Sequence, residues 1–286
     1  MFAIIGYVVV CASVVGGYAA AGGHLDVLWQ PLEFLIIFGG ALGAFVAAYP
    51  TLLKRCGAAM GTFIKGPSYK PEDYMELIGV LYAVFKLAKS KGDLALEAHV
   101  ENPDESGLFN HFPSFSSDHH AVEFLCDYLR MLTLGTSNAH EVAEIIDTEL
   151  GNHHDEDHAV AAALQSIADA TPAMGIVAAV LGVIHTMGSI TEPPEVLGHL
   201  IGAALVGTFS GILIAYGFLA PIAQSVGISF STDAQYMACI KAGLIAHMQG
   251  YAPQVSVEFA RKNLSGKYRP SFIEVEEMVG ELPGEF

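Results

Sequence analysis

Few residues in the apolar stretches of this chain can do acid–base chemistry. No Asp, Glu, Lys or Arg occurs in the 22 residues between Asp169 and Glu192, nor in the 37 between Glu195 and Asp233. Thr208 puts a hydroxyl deep in the second stretch. It either bonds back to its own helix or faces a carboxylate supplied from outside. Pro172 opens the first stretch, and Pro221 closes the membrane-length part of the second. Each removes a backbone donor and loosens its helix. Glu33 stands at the edge of an earlier apolar run. His185 is 13 residues beyond Pro172, roughly 20 Å by helix rise. Both read as solvated anchors near an interface. Intramembrane proton carriers must ionise. With no acid or base in the core of a span, a titrating carboxylate would have to come from a partner.

The remaining candidates are weaker. The tract NHHDEDH (152–158), with His119 and His120, holds ligand-type residues. It lacks the i, i+4 histidine pairing of an HExxH helix and reads as an acidic, solvated linker in a loop. No nucleophile elbow, Walker-type phosphate loop or GxGxxG run is present, so the chain is not read as an enzyme. Cys11, Cys56, Cys126 and Cys239 lie far apart without a CxxC pair. They read as small hydrophobes. No metal and no cofactor is expected.

These residues sit in a chain built for a lipid bilayer. Of its 286 residues 52% are hydrophobic and 15% charged, against roughly 25% charged in soluble domains. Mean hydropathy is +0.45. A net charge of −17 argues against nucleic acid or anionic head groups as partners. Four runs reach the length that crosses a bilayer: FAIIGYVVVCASVVGGYAAAGG, FLIIFGGALGAFVAAYPTLL, TPAMGIVAAVLGVIHTMGSI and LIGAALVGTFSGILIAYGFLAP. The first lacks a basic n-region and is too long for a secretory signal, so it reads as a retained helix. The link TEPPEVLG forces the last two into an antiparallel hairpin, which is expected to bring both prolines to one depth as a hinge. All 13 Lys and Arg fall in two regions, Lys54–Arg130 and Lys241–Arg269, and none in the loops 21–33 and 191–199. The positive-inside rule puts those loops outside and both large polar regions, with both termini, in the cytoplasm. Trp29 reads as an interface anchor.

The fold class is therefore an all-α integral membrane protein with four transmembrane helices, a large helical cytoplasmic loop and a cytoplasmic tail. The expected domains are residues 1–51 (spans one and two), 52–170 (cytoplasmic helices), 171–225 (spans three and four) and 226–286 (tail). In the loop, helices are expected over 71–92 and 93–103, then from His119 after an Asp118 cap, then from a cap at Ser137 or Asn138. ESGLFNHFPSFSSD and RPSFIEVEE read as irregular. The helices entering the third span and leaving the fourth are expected to pack together. Gly39, Gly40 and Gly43 in the second span, and Gly202, Gly207 and Gly211 in the fourth, let backbones approach. They serve either the chain's own bundle or an oligomer around another helix.

The ordered matches GYVVV, GGYAAAGG, QPLEFLII, LAKSKGDLALEAHVENPDES, PAMGIVAAVLGVIH, LVGTFSGILIAYGFLAP, QGYAP, VEFARK and RPSFIE span essentially the whole chain. Together they resemble the MotA family of flagellar-motor stator subunits, within the MotA/TolQ/ExbB superfamily. The resemblance implies a homo-oligomeric ring, a pentamer, in the bacterial inner membrane. The ring surrounds a dimer of the single-span partner MotB, whose membrane aspartate carries the ion, and it pushes the rotor protein FliG. It implies coupling roles for Pro172 and Pro221. It implies rotor-facing charges at Lys89, where many members have arginine, and at Glu97, with Glu149 and Asp127 as secondary acidic positions. Sodium-driven members carry threonine at the place of Ala179. A hydroxyl can replace one ligand of sodium's hydration shell, so alanine there favours protons. The alternative within the superfamily is an ExbB/TolQ-type energiser of outer-membrane processes, typically of three spans. A stand-alone channel or transporter would show its own intramembrane charges or repeated halves.

Overall fold

Turn residues and apolar runs set the helix limits in the computed structural model, which describes residues 2–284. Helix α1 (Phe2–Ala20) stops before Gly22, whose φ of 85° lies in the left-handed region. A single 3-10 turn, Leu25–Leu28, leads to α2 (Pro31–Ala48). Pro31 takes its first position, where a missing N–H costs no helix bond. A short amphipathic α3 (Leu53–Lys65) precedes α4 (Pro71–Lys91), which Gly92 ends at φ 85°. Three short helices follow: α5 (Glu97–Glu101), α6 (Gly107–Asn110) and α7 (Pro113–Ser116). Next come α8 (His119–Thr133), α9 (Ala139–Gly188) and α10 (Pro194–Ile214). One π turn, Ala215–Leu219, joins α10 to α11 (Ala220–Met248). Helices α12 (Pro253–Lys262) and α13 (Phe272–Glu281) complete the chain. Among the described residues there is no strand, and four helical stretches are long and apolar enough to cross a membrane.

Three expectations change. The tract 152–158 is not a loop: it lies inside the 50-residue α9. Gly151 costs about 1 kcal/mol and the Asn, His and Asp residues after it somewhat less each, and the long helix on both sides carries the tract through. Residues 105–118 are not irregular throughout, since they contain α6 and α7. RPSFIEVEE is not irregular either, because Ser271 and Glu274 form a capping box. Glu274 N–H donates to Ser271 Oγ at 3.2 Å, and Ser271 N–H donates to Glu274 Oε2 at 2.6 Å. The pattern Ser-x-x-Glu was a legible start signal. The Asp118 cap is present, accepting from Ala121 N–H at 3.2 Å, and Asn138 caps α9 through His140 N–H at 3.1 Å.

The chain divides into two compact units, Met1–Gly66 with Asp157–Ile228, and Pro67–Glu156 with Ser229–Phe286. The first holds the apolar helices, with α10 packed on α2 and on the 3-10 turn. The second has an aromatic-rich core around α4, where Tyr74, Leu77, Ile78, Leu81 and Phe85 are fully buried. Tyr69 stacks on Tyr236 at 3.8 Å and donates its hydroxyl to Asp118 Oδ2 at 2.6 Å. Tyr74 donates to the Thr232 carbonyl at 3.1 Å. Large buried side chains contribute about 1.5–3 kcal/mol each, and the phenol bonds orient them. Lys241 Nζ meets Asp147 Oδ1 at 2.5 Å. That ion pair ties α11 to α9 within this unit, as expected for the helices that enter and leave the hairpin.

His247, in the last turn of α11, is buried at 9% exposure, and its ring stacks on Phe85 at 4.6 Å. Its Nδ1 has no hydrogen-bond partner among the described residues. Burial pushes the imidazole's pKa below its ordinary value; Asp93 opposes the shift and Lys89 adds to it. Above the unfolded value, about 6.5, both states are neutral and His247 leaves stability unchanged with pH. Below it the unfolded chain binds a proton that the folded chain refuses, so stability falls with pH until the folded pKa is reached. Thermal melts of the purified protein from about pH 7 to about pH 5 are expected to show a loss that His247→Asn reduces.

Candidate functional site

Glycine brings α9 and α10 together backbone to backbone in the first unit. A methyl group on Gly175 would fall 2.7 Å from the Gly207 carbonyl oxygen. One on Gly211 would fall 3.0 Å from both the Thr171 carbonyl oxygen and Gly175 Cα. One on Gly182 would fall 2.7 Å from Ala204 Cβ. Such close approach is what small residues permit in apolar helix pairs. The two readings of the glycines therefore divide. Gly207 and Gly211 serve this pair, and Gly40 makes room for Met174, whose Sδ would lie 2.5 Å from a methyl there. Gly39 and Gly43 meet no described atom within 4 Å.

Ala179 lies at this contact against Gly207, the residue before Thr208. A methyl on Gly207 would lie 3.1 Å from the Ala179 nitrogen, so Ala179 sits beside the Gly207–Thr208 step. Both side chains are half-buried. The Thr208 hydroxyl makes no hydrogen bond among the described residues. By contrast Thr171 donates back to the Ile167 carbonyl at 2.7 Å, and Thr186 to the Gly182 carbonyl at 2.9 Å. Of the two readings of Thr208, bonding to its own helix is the one this geometry does not adopt.

Sequence position alone misplaced Glu33. It lies in the first turn of α2, but α2 begins beside the middle of α10 rather than level with its end. The preceding 3-10 turn already packs there, with Val27 3.7 Å from where a methyl on Gly202 would stand. The Glu33 carboxyl consequently enters the α9–α10 seam. Its Oε2 lies 3.0 Å from the place of a methyl on Gly207, and its Oε1 3.4 Å from that on Gly182. Oε2 is fully enclosed and has no hydrogen-bond partner among the described residues. The expectation that the spans hold no acid of their own is corrected. Only the glycines opposite could have hinted at it, because they leave a side-chain-sized gap.

Pro172 lies inside α9, next to the Thr171–Gly211 contact. Pro221 lies ten residues beyond Gly211, roughly 15 Å farther along the axis. The two rings are thus not at one depth, as the hairpin had suggested. The carbonyls they leave without a ladder donor, Ala168 and Gly217, come within about 5 Å of each other in depth by helix rise. Around Pro221 the helix widens into the π turn, with Ala220 N–H reaching Ala215 O. The Tyr7 hydroxyl bonds the Phe218 carbonyl of this turn at 3.3 Å, and the two rings stack at 5.1 Å.

The four expected rotor-facing charges lie in the second unit and differ in what holds them. Lys89, exposed in the last turn of α4, donates to the Gly250 carbonyl at 3.4 Å. It borders a cavity of about 450 Å³ also lined by Gly92, Asp93, Thr136, Ser137 and His247. Glu97 is exposed at the start of α5. Asp127 pairs with Arg130 at 2.6 Å, and Arg130 also meets Glu101 at 3.2 Å. Glu149 accepts the Tyr128 hydroxyl. Burial and that bond hold the Tyr128 phenol well above its ordinary pKa. The histidines of the 152–158 tract are exposed along α9, His153 facing the His120 ring at 5.1 Å. No cluster of three or more metal-ligating side chains forms among the described residues.

Comparison with known proteins identifies this arrangement. Residues 4–92 match the family model for the motility protein A N-terminal region, and residues 117–237 that for the MotA/TolQ/ExbB proton channel family. Motility protein A of Salmonella typhimurium is 40% identical over 280 residues, 98% of this chain and 95% of that protein. The flagellar MotAB stator complex from Bacillus subtilis contains a chain of similar structure. Its TM-score is 0.70 at 27% identity, covering 89% of this chain and 92% of that one. The C. jejuni MotAB structure gives a TM-score of 0.77 at 22% identity, covering 94% of this chain and 98% of that one. This all-α, multi-pass membrane chain therefore belongs to the motility protein A group of the MotA/TolQ/ExbB proton channel family.

Proposed function

We propose that this chain is a stator subunit of a bacterial flagellar motor, passing protons and turning their flow into torque on the rotor. The observation that carries this reading is the 40% identity to a motility protein over nearly the whole of both chains. The likeness to a MotAB stator complex supports a single-span MotB-type partner that supplies a membrane aspartate. Copies of the chain form a closed ring around that partner, and a pentamer is the assembly we favour. The open faces at Gly39 and Gly43 suit close helix contacts in such a ring. The Thr208 hydroxyl, left without an internal acceptor, suits a polar partner group. The distribution of Lys and Arg supports an inner-membrane location with both termini cytoplasmic. The domains we assign are residues 1–51 and 171–225 in the membrane, and 52–170 and 226–286 in the cytoplasm. No enzymatic activity and no cofactor is proposed. The ExbB/TolQ-type reading is disfavoured by the four membrane-length helices.

In this reading Pro172 and Pro221 are the coupling points. Lys89 and Glu97 face FliG-type rotor charges, with Asp127 and Glu149 beside them. Asp127 is paired with a cation and Glu149 with a phenol, whereas among the described residues Lys89 meets only the Gly250 carbonyl and keeps its charge unpaired, so Lys89 and Glu97 carry most of the outward interaction. Lysine cannot fork as arginine does, so Lys89 acts by long-range attraction.

Deleting the gene is expected to leave cells with normal filament numbers that do not swim. Complemented cells are expected to swim without sodium and to stop when the proton gradient is collapsed. Cells lacking the gene that swim normally would reject the stator reading, and sodium dependence would reject the proton reading at Ala179. Pro172→Ala restores one ladder bond, worth up to about 3 kcal/mol against an interior proline. That variant is expected to melt no lower than the parent while tethered cells turn with less torque. Lys89→Glu with Glu97→Lys is expected to weaken swimming without reducing proton flux, and charge reversal on the rotor to restore it.

A further inference from the structure

We propose that Glu33 is a proton-binding station belonging to the chain itself, one that takes up a proton from the outer side and passes it to the partner's carboxylate. The proposal rests on the stator reading above for the direction of flow. It rests on the geometry of the α2–α9–α10 seam for the site.

The carboxyl group occupies a gap that side chains would otherwise fill. Gly207 and Gly182 lie directly against its two oxygens, at 3.0 and 3.4 Å from where methyl groups would stand. Ala178 and Ala179 form the neighbouring wall. Oε2 is sealed from solvent and unpaired, while the residue as a whole keeps some exposure. No lysine or arginine occurs between Arg130 and Lys241 or before Lys54, so no permanent cation is available from α1, α2, α9 or α10 inside the apolar region. A bare carboxylate in such surroundings is expensive. The form this packing accommodates is the neutral, proton-carrying acid.

The surroundings give the station a direction. The titratable groups nearby on the packed elements all lie on its outer side. These are His185 one turn farther along α9, His199 two turns back along α10, and His24 and Asp26 at the 3-10 turn. On the inner side, α2 has no charged residue before Lys54 and α10 none before Asp233, while α9 has none between Asp169 and this level. The neighbours there are Ala179 and Thr208, which the stator reading turns toward the partner. The step is a proton transfer. An O–H bond forms at Glu33 as a water-borne proton is taken from outside. The same bond breaks as the partner's carboxylate takes the proton, leaving Glu33 ready for the next.

The test uses the intact complex of this chain with its single-span partner, purified and placed in vesicles. Infrared difference spectra over a pH titration read the carbonyl stretch of a protonated carboxyl, and a pH-sensitive dye inside the vesicles reads flux. The parent complex is expected to show a protonated-carboxyl band that Glu33→Gln removes. Proton flux in that isosteric variant is expected to fall about a hundredfold, the scale of a lost proton-transfer group, with assembly unchanged by size-exclusion chromatography. Glu33→Asp, which keeps the acid on a shorter stem, is expected to retain part of the flux with a displaced pH profile. If Glu33→Gln fails to assemble, the Glu33→Asp profile and spectrum decide. An undisplaced profile, no band assignable to residue 33, or unchanged flux in Glu33→Gln would each overturn the proposal. A parent complex that conducts no protons while still showing the band would instead overturn the stator reading and leave the binding site standing.

Discussion

Backbone contact between α9 and α10 is the constraint on which the membrane unit depends. Gly175, Gly207 and Gly211 let two helices approach until a carbonyl oxygen of one lies where a side chain of the other would begin. In lipid there is no hydrophobic force between apolar helices, so this fit and its dispersion energy hold the pair. The same approach sets the register that brings Ala179 against Gly207 and puts Pro172 near Gly211. The glycine seam is the tightly packed part of this pair, and the prolines lie where ladder bonds are missing.

The loosening is also better defined than two missing hydrogen bonds suggest. At Pro221 the helix converts to a π turn, and Tyr7 from α1 covers one of its carbonyls. Pro221 frees the Gly217 carbonyl, and the carbonyl that Tyr7 reaches is its neighbour Phe218, so α1 packs against the widened turn. Three helices, α1, α10 and α11, therefore meet at this turn. Helices α9 and α11 each begin in one unit and end in the other.

Much of this was legible from residues. Four uncharged runs of membrane-spanning length marked the four spans. The helix limits at Pro71, Gly92, Asp118 and Asn138 followed from local chemistry that tertiary contacts had no reason to override. The tract at 152–158 misled because its polarity looks like a linker, whereas an exposed helix face can be just as polar. RPSFIEVEE misled through its proline, although Ser271 and Glu274 already spelled a helix start. The depth of Glu33 was beyond sequence position, because it depends on how far the 3-10 turn sinks beside α10. The depth of the prolines depends likewise on the register that the glycines choose.

The carboxyl in the seam has a consequence for how this chain tolerates change. Glu33 and Gly207 share one small volume, so neither can be varied as though the other were fixed. Shortening the acid leaves a hole in a tightly packed interface; enlarging the glycine drives a methyl into an oxygen. The two positions amount to a single steric variable divided between helices 174 residues apart in sequence. A substitution at either one is to be read together with the residue found at the other.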